Sequence, residues 1–362
     1  MLRAASPRPP CTCRWSRSLA GAAHAAVSPP PAVLSVDAAV RTALDARFVI
    51  PPAAVEALRS STGLSDDELL LAVLAPTLAA ARPPTSRFCV AASVLGASGA
   101  IYLGVNVETA AAPLGFAVHA EQFALATARA AHEKGVVSLA ASASPCGHCR
   151  QYMQELPGAG GLRVLVPGRP PTPLADLLPS AFGPADLATQ GVKPPLFLGL
   201  RHAGVALDRA GRNRVAELRS EAASDAALVE GIYAAMAAAN GCHAPYSRTP
   251  AGCALVSPTG RVSAAGTAES AAFNPTLSPL QAAVIAAIGA APRGEASWAG
   301  GGGEGGSGDG GAGWRCVLAQ LGTANGGLID HEAATRAMLG AVAPRATLEV
   351  ITLASNTAAR DD

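Results

Sequence analysis

The sequence predicts an α/β protein made of two tandem copies of one unit, with chemistry confined to the first copy. Three observations carry that reading. Pro83 to Glu108, PPTSRFCVAASVLGASGAIYLGVNVE, aligns without a gap onto Ala244 to Glu269, APYSRTPAGCALVSPTGRVSAAGTAE. Pro84, Ser86, Arg87, Gly99 and Glu108 meet Pro245, Ser247, Arg248, Gly260 and Glu269, positions that shared alanine content would not preserve. Each copy also reads as two short strands around a Ser-Gly or Thr-Gly turn. Lastly, the copies diverge beyond those strands. The first continues VHAEQFALATARAAHEKG and the second FNPTLSPLQAAVIAAIGAAP, and the second has no C-x-x-C, only Cys316 in WRCVLAQ.

Taken in order, the first 36 residues contain Arg, Ser, Ala and Pro but no Asp or Glu, which suits either an organelle transit peptide or a disordered tail. Residues 1–47 are therefore expected to be an N-terminal extension, and 48–186 a catalytic domain. Within that domain a helix is predicted from His119 to about Lys134. A strand over VVSLAASAS follows, then a second helix opened by Pro145, together a parallel-type βαβ unit. Residues 187–224, with Pro194, Pro195 and the charged stretch from Arg201 to Glu221, suit an inter-domain linker. Residues 225–362 would form the degenerate domain. Its tract from Ser297 to Trp314 reads as a flexible Gly-rich surface loop, lacking the G-K-[ST] of a phosphate loop.

Composition narrows the function classes. Half of the 362 residues are hydrophobic, enough to bury a sizeable core. A formal net charge of +1 with 15% charged residues offers no broad basic surface for a nucleic acid, so a small substrate is expected and a polymer is not. No run approaches the about 18 consecutive apolar residues of a membrane span. The eight cysteines lack the density of a secreted disulfide scaffold, which points to a reducing compartment. Cys11, Cys13, Cys89, Cys242, Cys253 and Cys316 read as tail or small core residues.

Cys146 and Cys149 in PCGHCRQYMQEL are the exception. By itself a C-x-x-C suits a structural zinc, a redox dithiol or a catalytic metal. HAEQ supplies His119 and Glu121 at the start of the preceding helix, and two helix N-termini at one end of a βαβ unit can bring His119, Cys146 and Cys149 to one point. Three ligands leave a tetrahedral zinc one open position, whereas a closed structural site needs a fourth. His148, the nearby candidate for that fourth ligand, is expected to point away. A dithiol would leave the H-x-E spacing unexplained. Glu121, two residues from a ligand, is expected to be the general acid/base.

H-x-E followed by P-C-x-x-C is the pattern of zinc nucleobase deaminases. VNVE, VHAEQ, PCGHCRQYMQEL, FGPADL and ESAAFNPTLSPLQAA together resemble, in order, the motifs of cytidine deaminase of the dimeric enteric-bacterial and plant type, over about Phe48 to Leu353. The resemblance implies a three-layer α/β/α fold with a mixed central sheet, duplicated in tandem, and a homodimer. It also implies hydrolysis of cytidine and deoxycytidine to uridine and deoxyuridine with release of ammonia, in pyrimidine salvage. Zn2+ would sit on His119, Cys146 and Cys149, with Glu121 as the proton shuttle. Asn106 and Glu108 would hold the ribose hydroxyls, Phe88 and Ala120 would line the substrate site, and Phe273 would reach into the partner subunit's site. Cys89, Ala91 and Thr109 depart from the family pattern and put the pocket shape in doubt. The implied location is cytoplasmic, or plastid or mitochondrion if the N-terminus is a transit peptide. Deamination of a modified or antibiotic nucleoside stays open, as does an idle zinc scaffold, against which the intact Glu121 argues.

Overall fold

Strand pairing builds two mixed sheets of related topology. In the computed structural model the described residues are 31–187, 197–198, 202–221, 226–291 and 313–355. The first sheet contains β1 (Val49–Ile50), β2 (Ala91–Gly96), β3 (Ile101–Val105), β4 (Val136–Ala141), β5 (Arg163–Leu165) and β6 (Thr172–Pro173), in the order β1-β3-β2-β4-β5-β6. Its helices are α1 (Pro31–Asp45), α2 (Pro52–Thr62), α3 (Asp66–Ala72), α4 (Leu74–Thr77), α5 (Ala120–Ala130), α6 (Gly147–Tyr152) and α7 (Leu174–Leu177). The second unit has β7 (Val205–Leu207), α8 (Arg209–Glu221), α9 (Ala226–Asn240), β8 (Ala251–Val256), β9 (Val262–Gly266), α10 (Pro279–Ala290), β10 (Arg315–Leu321), α11 (Glu332–Val342) and β11 (Thr347–Ser355). Its sheet order is β7-β11-β10-β8-β9.

The shared motif is legible in the pairing. β2 and β3 form a hairpin, as do β8 and β9, and the turn glycines Gly99 and Gly260 take φ of 85° and 84°, a left-handed conformation that glycine adopts without steric penalty. β4 pairs antiparallel with β2 and parallel with β5; β10 does the same with β8 and β11. Since β3 and β4 both run antiparallel to β2, they run parallel to each other, and α5 crosses between them. Both metal-site helices thus start where parallel strands end.

Each unit has helices on both faces of its sheet. On β8 and β10, Cys253, Leu255 and Cys316 join one hydrophobic cluster with α10, while Ala254, Val317 and Ala319 join another with α8 and α9. Alternation with period two, buried on both sides, is the mark of the middle layer of three. Gly104 on β3 lets α5 lie close: a Cβ there would stand 2.2 Å from Ala120 O and 2.4 Å from Ala124 N. The cluster containing the first unit's core continues into Leu280, Val284 and Ile288 of α10, so the two units share one apolar interior.

Two boundaries differ from the sequence reading. Residues 31–45, placed in the extension, form α1, and Val36, Val40, Ala43 and Leu44 bury in the shared core. Apolar residues at that helical spacing outweigh the acid-poor composition. Residues 1–30 lie outside the described residues. The stretch expected to be a linker contains β7, paired antiparallel with β11, and α8, whose Val215 and Leu218 bury against that sheet. The charges from Arg209 onward are the solvent face of an amphipathic helix. Pro194, Pro195 and the Gly-rich tract up to residue 312 lie outside the described residues.

Candidate active site

α5 begins at His119, its extended N-cap residue, whose backbone N–H donates to Gln122 Oε1 at 3.2 Å. α6 begins in the same way at Cys146. The two helix starts converge: His119 Nδ1 lies 3.5 Å from Cys146 Sγ and 3.4 Å from Cys149 Sγ, and one ligand atom from each residue falls within 4.8 Å of the others. His148 is outside this group, its ring stacked on that of His119 with centroids 4.8 Å apart. Arg150 fastens α6 from the other side, donating to Pro145 O at 2.8 Å and Leu177 O at 2.8 Å.

The electrostatics fit a cation. Hydrogen bonds from Cys149 and His119 pull the Cys146 thiol down to about 3, while the bond to Cys146 and burial push Cys149 up. The bond to Cys146 also raises His119. Two sulfurs with one imidazole nitrogen form a donor set suited to Zn2+. Glu121, 4% exposed in the first turn of α5, is raised above the ordinary carboxylate value by burial. A carboxyl in the first turn of that helix, beside the donor set, is placed for general acid/base chemistry.

The other sequence-predicted residues are placed as follows. Ala120 is fully buried beneath β3. Phe88 is 56% exposed. Asn106 pins the Phe88–Val90 segment, donating to Phe88 O at 2.9 Å and accepting from Val90 N at 2.9 Å. Glu108 accepts from Thr85 N at 3.1 Å, Ser86 N at 2.8 Å and Ser86 Oγ at 2.5 Å. Glu269 makes the same three bonds, to Tyr246 N, Ser247 N and Ser247 Oγ. Arg87 and Arg248 share a left-handed φ of 56° and 53°. Of the positions common to both copies, Ser86, Arg87 and Glu108 and their counterparts Ser247, Arg248 and Glu269 thus form a loop clamp. Phe273, with φ 63°, is 66% exposed on the segment between β9 and α10.

Two sequence profiles described as the cytidine and deoxycytidylate deaminase zinc-binding region match the chain, over residues 64–159 and 174–296, together more than half its length. The chain belongs to the cytidine and deoxycytidylate deaminase family. The first profile match contains all three donors and Glu121; the second contains none of them. Among solved structures, the cytidine deaminase from Mycobacterium tuberculosis is 32% identical, covering 33% of this chain and 99% of its own, with a TM-score of 0.31. That from Burkholderia pseudomallei is 31% identical, covering 33% and 100%, with a TM-score of 0.30. The deaminase fits Zn2+ at His119, Cys146 and Cys149. Among its described residues no helix is long and apolar enough to cross a membrane.

Sequence reasoning missed Gln122 and Glu155. Gln122 Nε2 donates to Pro275 O of the second unit at 2.8 Å, and Glu155 sits 1% exposed between the units. Both stood inside quoted motifs, HAEQ and PCGHCRQYMQEL. A buried acid at the end of an otherwise amphipathic helix was the available signal.

Proposed function

We propose that the chain hydrolyses cytidine and deoxycytidine to uridine and deoxyuridine, releasing ammonia, in pyrimidine salvage. The observation that carries this reading is a buried carboxyl, Glu121, adjoining a His/Cys/Cys donor set in the unit that matches the zinc-binding profile. His119, Cys146 and Cys149 would hold the zinc, which would supply the Lewis acidity that makes water nucleophilic at neutral pH. Glu121 would take a proton from the attacking water and deliver it to N3 of the cytosine ring, then carry the proton of the new C4 hydroxyl to the amine, which leaves as ammonia while C4 becomes a carbonyl. Its raised pKa suits both directions of transfer.

Glu108 has accepted three hydrogen bonds where a carboxylate offers about four lone-pair sites, which leaves capacity for one sugar hydroxyl. Asn106 likewise keeps one amide hydrogen for a second. Phe88 supplies an apolar face beside them, and Phe273 completes the site of a partner subunit in a homodimer. The near-neutral chain supports a free nucleoside over a polymer. Ammonia release from cytidine by the zinc-loaded protein tests the reading. Turnover of cytidine, with none of adenosine or guanosine, is the expected result; a zinc-loaded protein that leaves cytidine intact would refute it.

A further inference from the structure

The mechanism leaves the buried acid Glu155 unused. Glu155 ends the 3-10 turn that extends α6, and Met153 of that turn donates its N–H to Cys149 O. Its carboxylate crosses to the second unit: Oε2 accepts from Tyr246 Oη at 2.5 Å and faces His243 Nε2 at 3.4 Å, and Oε1 accepts from Ala271 N at 2.7 Å. Four residues on, Pro275 O accepts from Gln122 Nε2, and Gln122 Oε1 holds the backbone N–H of His119. One short segment of the metal-free unit therefore grips both helices that carry the donor set. Tyr246 is itself set by Glu269, which accepts from Tyr246 N at 2.9 Å.

We propose that Glu155 is a positioning residue of the metal centre: by fastening the Cys149 turn to the Ala271–Pro275 segment, it keeps that turn in register with α5. The second unit then acts in cis on the zinc site of its own chain. This inference rests on the reading of His119, Cys146 and Cys149 as zinc ligands. A buried carboxylate could instead merely hold two units together, and the two roles part in the lability of the metal. Residues that orient metal ligands change affinity or activity by about 10–100-fold when altered.

The test measures the rate at which full-length, zinc-loaded protein gives its metal to a chromogenic chelator. Glu155→Gln and Tyr246→Phe, which remove the charge and the hydroxyl donor respectively, are each expected to release zinc roughly tenfold faster than wild type. Joined in one chain they should add little further, since they weaken the same bond. Glu133→Gln is the matched control, a buried acid bonded to Ser98 and Tyr102 away from the donors, and it should release zinc at the wild-type rate. If Glu155→Gln does not fold, Tyr246→Phe decides. Release from Tyr246→Phe no faster than from Glu133→Gln overturns the proposal while leaving the ligand assignment intact. A wild-type chain that holds no zinc overturns the ligand assignment, and the proposal with it.

Discussion

Glu121 illustrates how a residue's position in the chain sets its chemistry. Two residues after a donor and within the first turn of α5, it is buried beside the sulfurs without being counted among the three donors. Glu121→Gln keeps the shape and removes the ionisable group. Its activity on cytidine should fall by at least about 10²–10⁴-fold, with zinc content by elemental analysis staying near one per chain; loss of zinc would make Glu121 a ligand. This part of the site was legible because the H-x-E and C-x-x-C spacings are local, and helix geometry turns local spacing into shared direction. Asn106 and Glu108 were less legible. Their side chains are bound to a loop about twenty residues earlier in sequence, and that long-range pairing leaves no periodic trace.

At the scale of elements, the repeat provides an internal control for Glu108. Both Glu108 and Glu269 clamp a Ser-Arg loop, but among the described residues the metal-donor group lies in the first unit. Glu108→Gln and Glu269→Gln should each lower stability by roughly 1–2 kcal/mol, as expected for weakening bonds to a charged acceptor. KM for cytidine should rise in Glu108→Gln alone. Equal KM values in the two variants would make VNVE only a clamp. A second element-scale test concerns Glu133, which ties the β2–β3 turn to the end of α5. Desolvation raises its pKa, but bonds from Ser98, Lys134 N and Tyr102 outweigh it and hold the carboxyl below its ordinary value. A depressed carboxylate stabilises the fold above its unfolded pKa of about 4.3 and loses that contribution as pH falls through the folded value. The melting temperature of Glu133→Gln should therefore lie below wild type at pH 7, and the gap should close below about pH 4. The hairpins and crossover helices were legible because strand alternation and turn glycines are strong local signals. The two-residue strands β1 and β6 were not, being too short to carry a period.

For the whole molecule, the open question is why a unit without a metal site is present. Its α10 shares the apolar interior of the first unit, and Gln281 Nε2 reaches Ala117 O across the junction as Gln122 reaches Pro275 O in return. This reciprocal contact was invisible in sequence, because it joins residues more than a hundred positions apart. It makes the second unit part of the first unit's framework, so truncation near Pro184 would strip apolar surface and test folding rather than catalysis. α1 adds to that framework: removing residues 1–45 should lower stability more than removing 1–30, since Val36, Val40, Ala43 and Leu44 leave a core behind. A role in trans requires a different test. Phe273 is 66% exposed within one chain, and a large apolar side chain held at the surface in a left-handed backbone conformation suits a contact with a second subunit. Glu121→Gln and Phe273→Asp, each first shown to be inactive alone, should regain activity when mixed under subunit exchange. In a mixed dimer one site then combines an intact Glu121 with a partner's intact Phe273, and about half of wild-type activity per mixed dimer is expected from that symmetry. Exchange is checked by native mass spectrometry. Mixed dimers that form yet stay inactive would confine the second unit to its role within the chain.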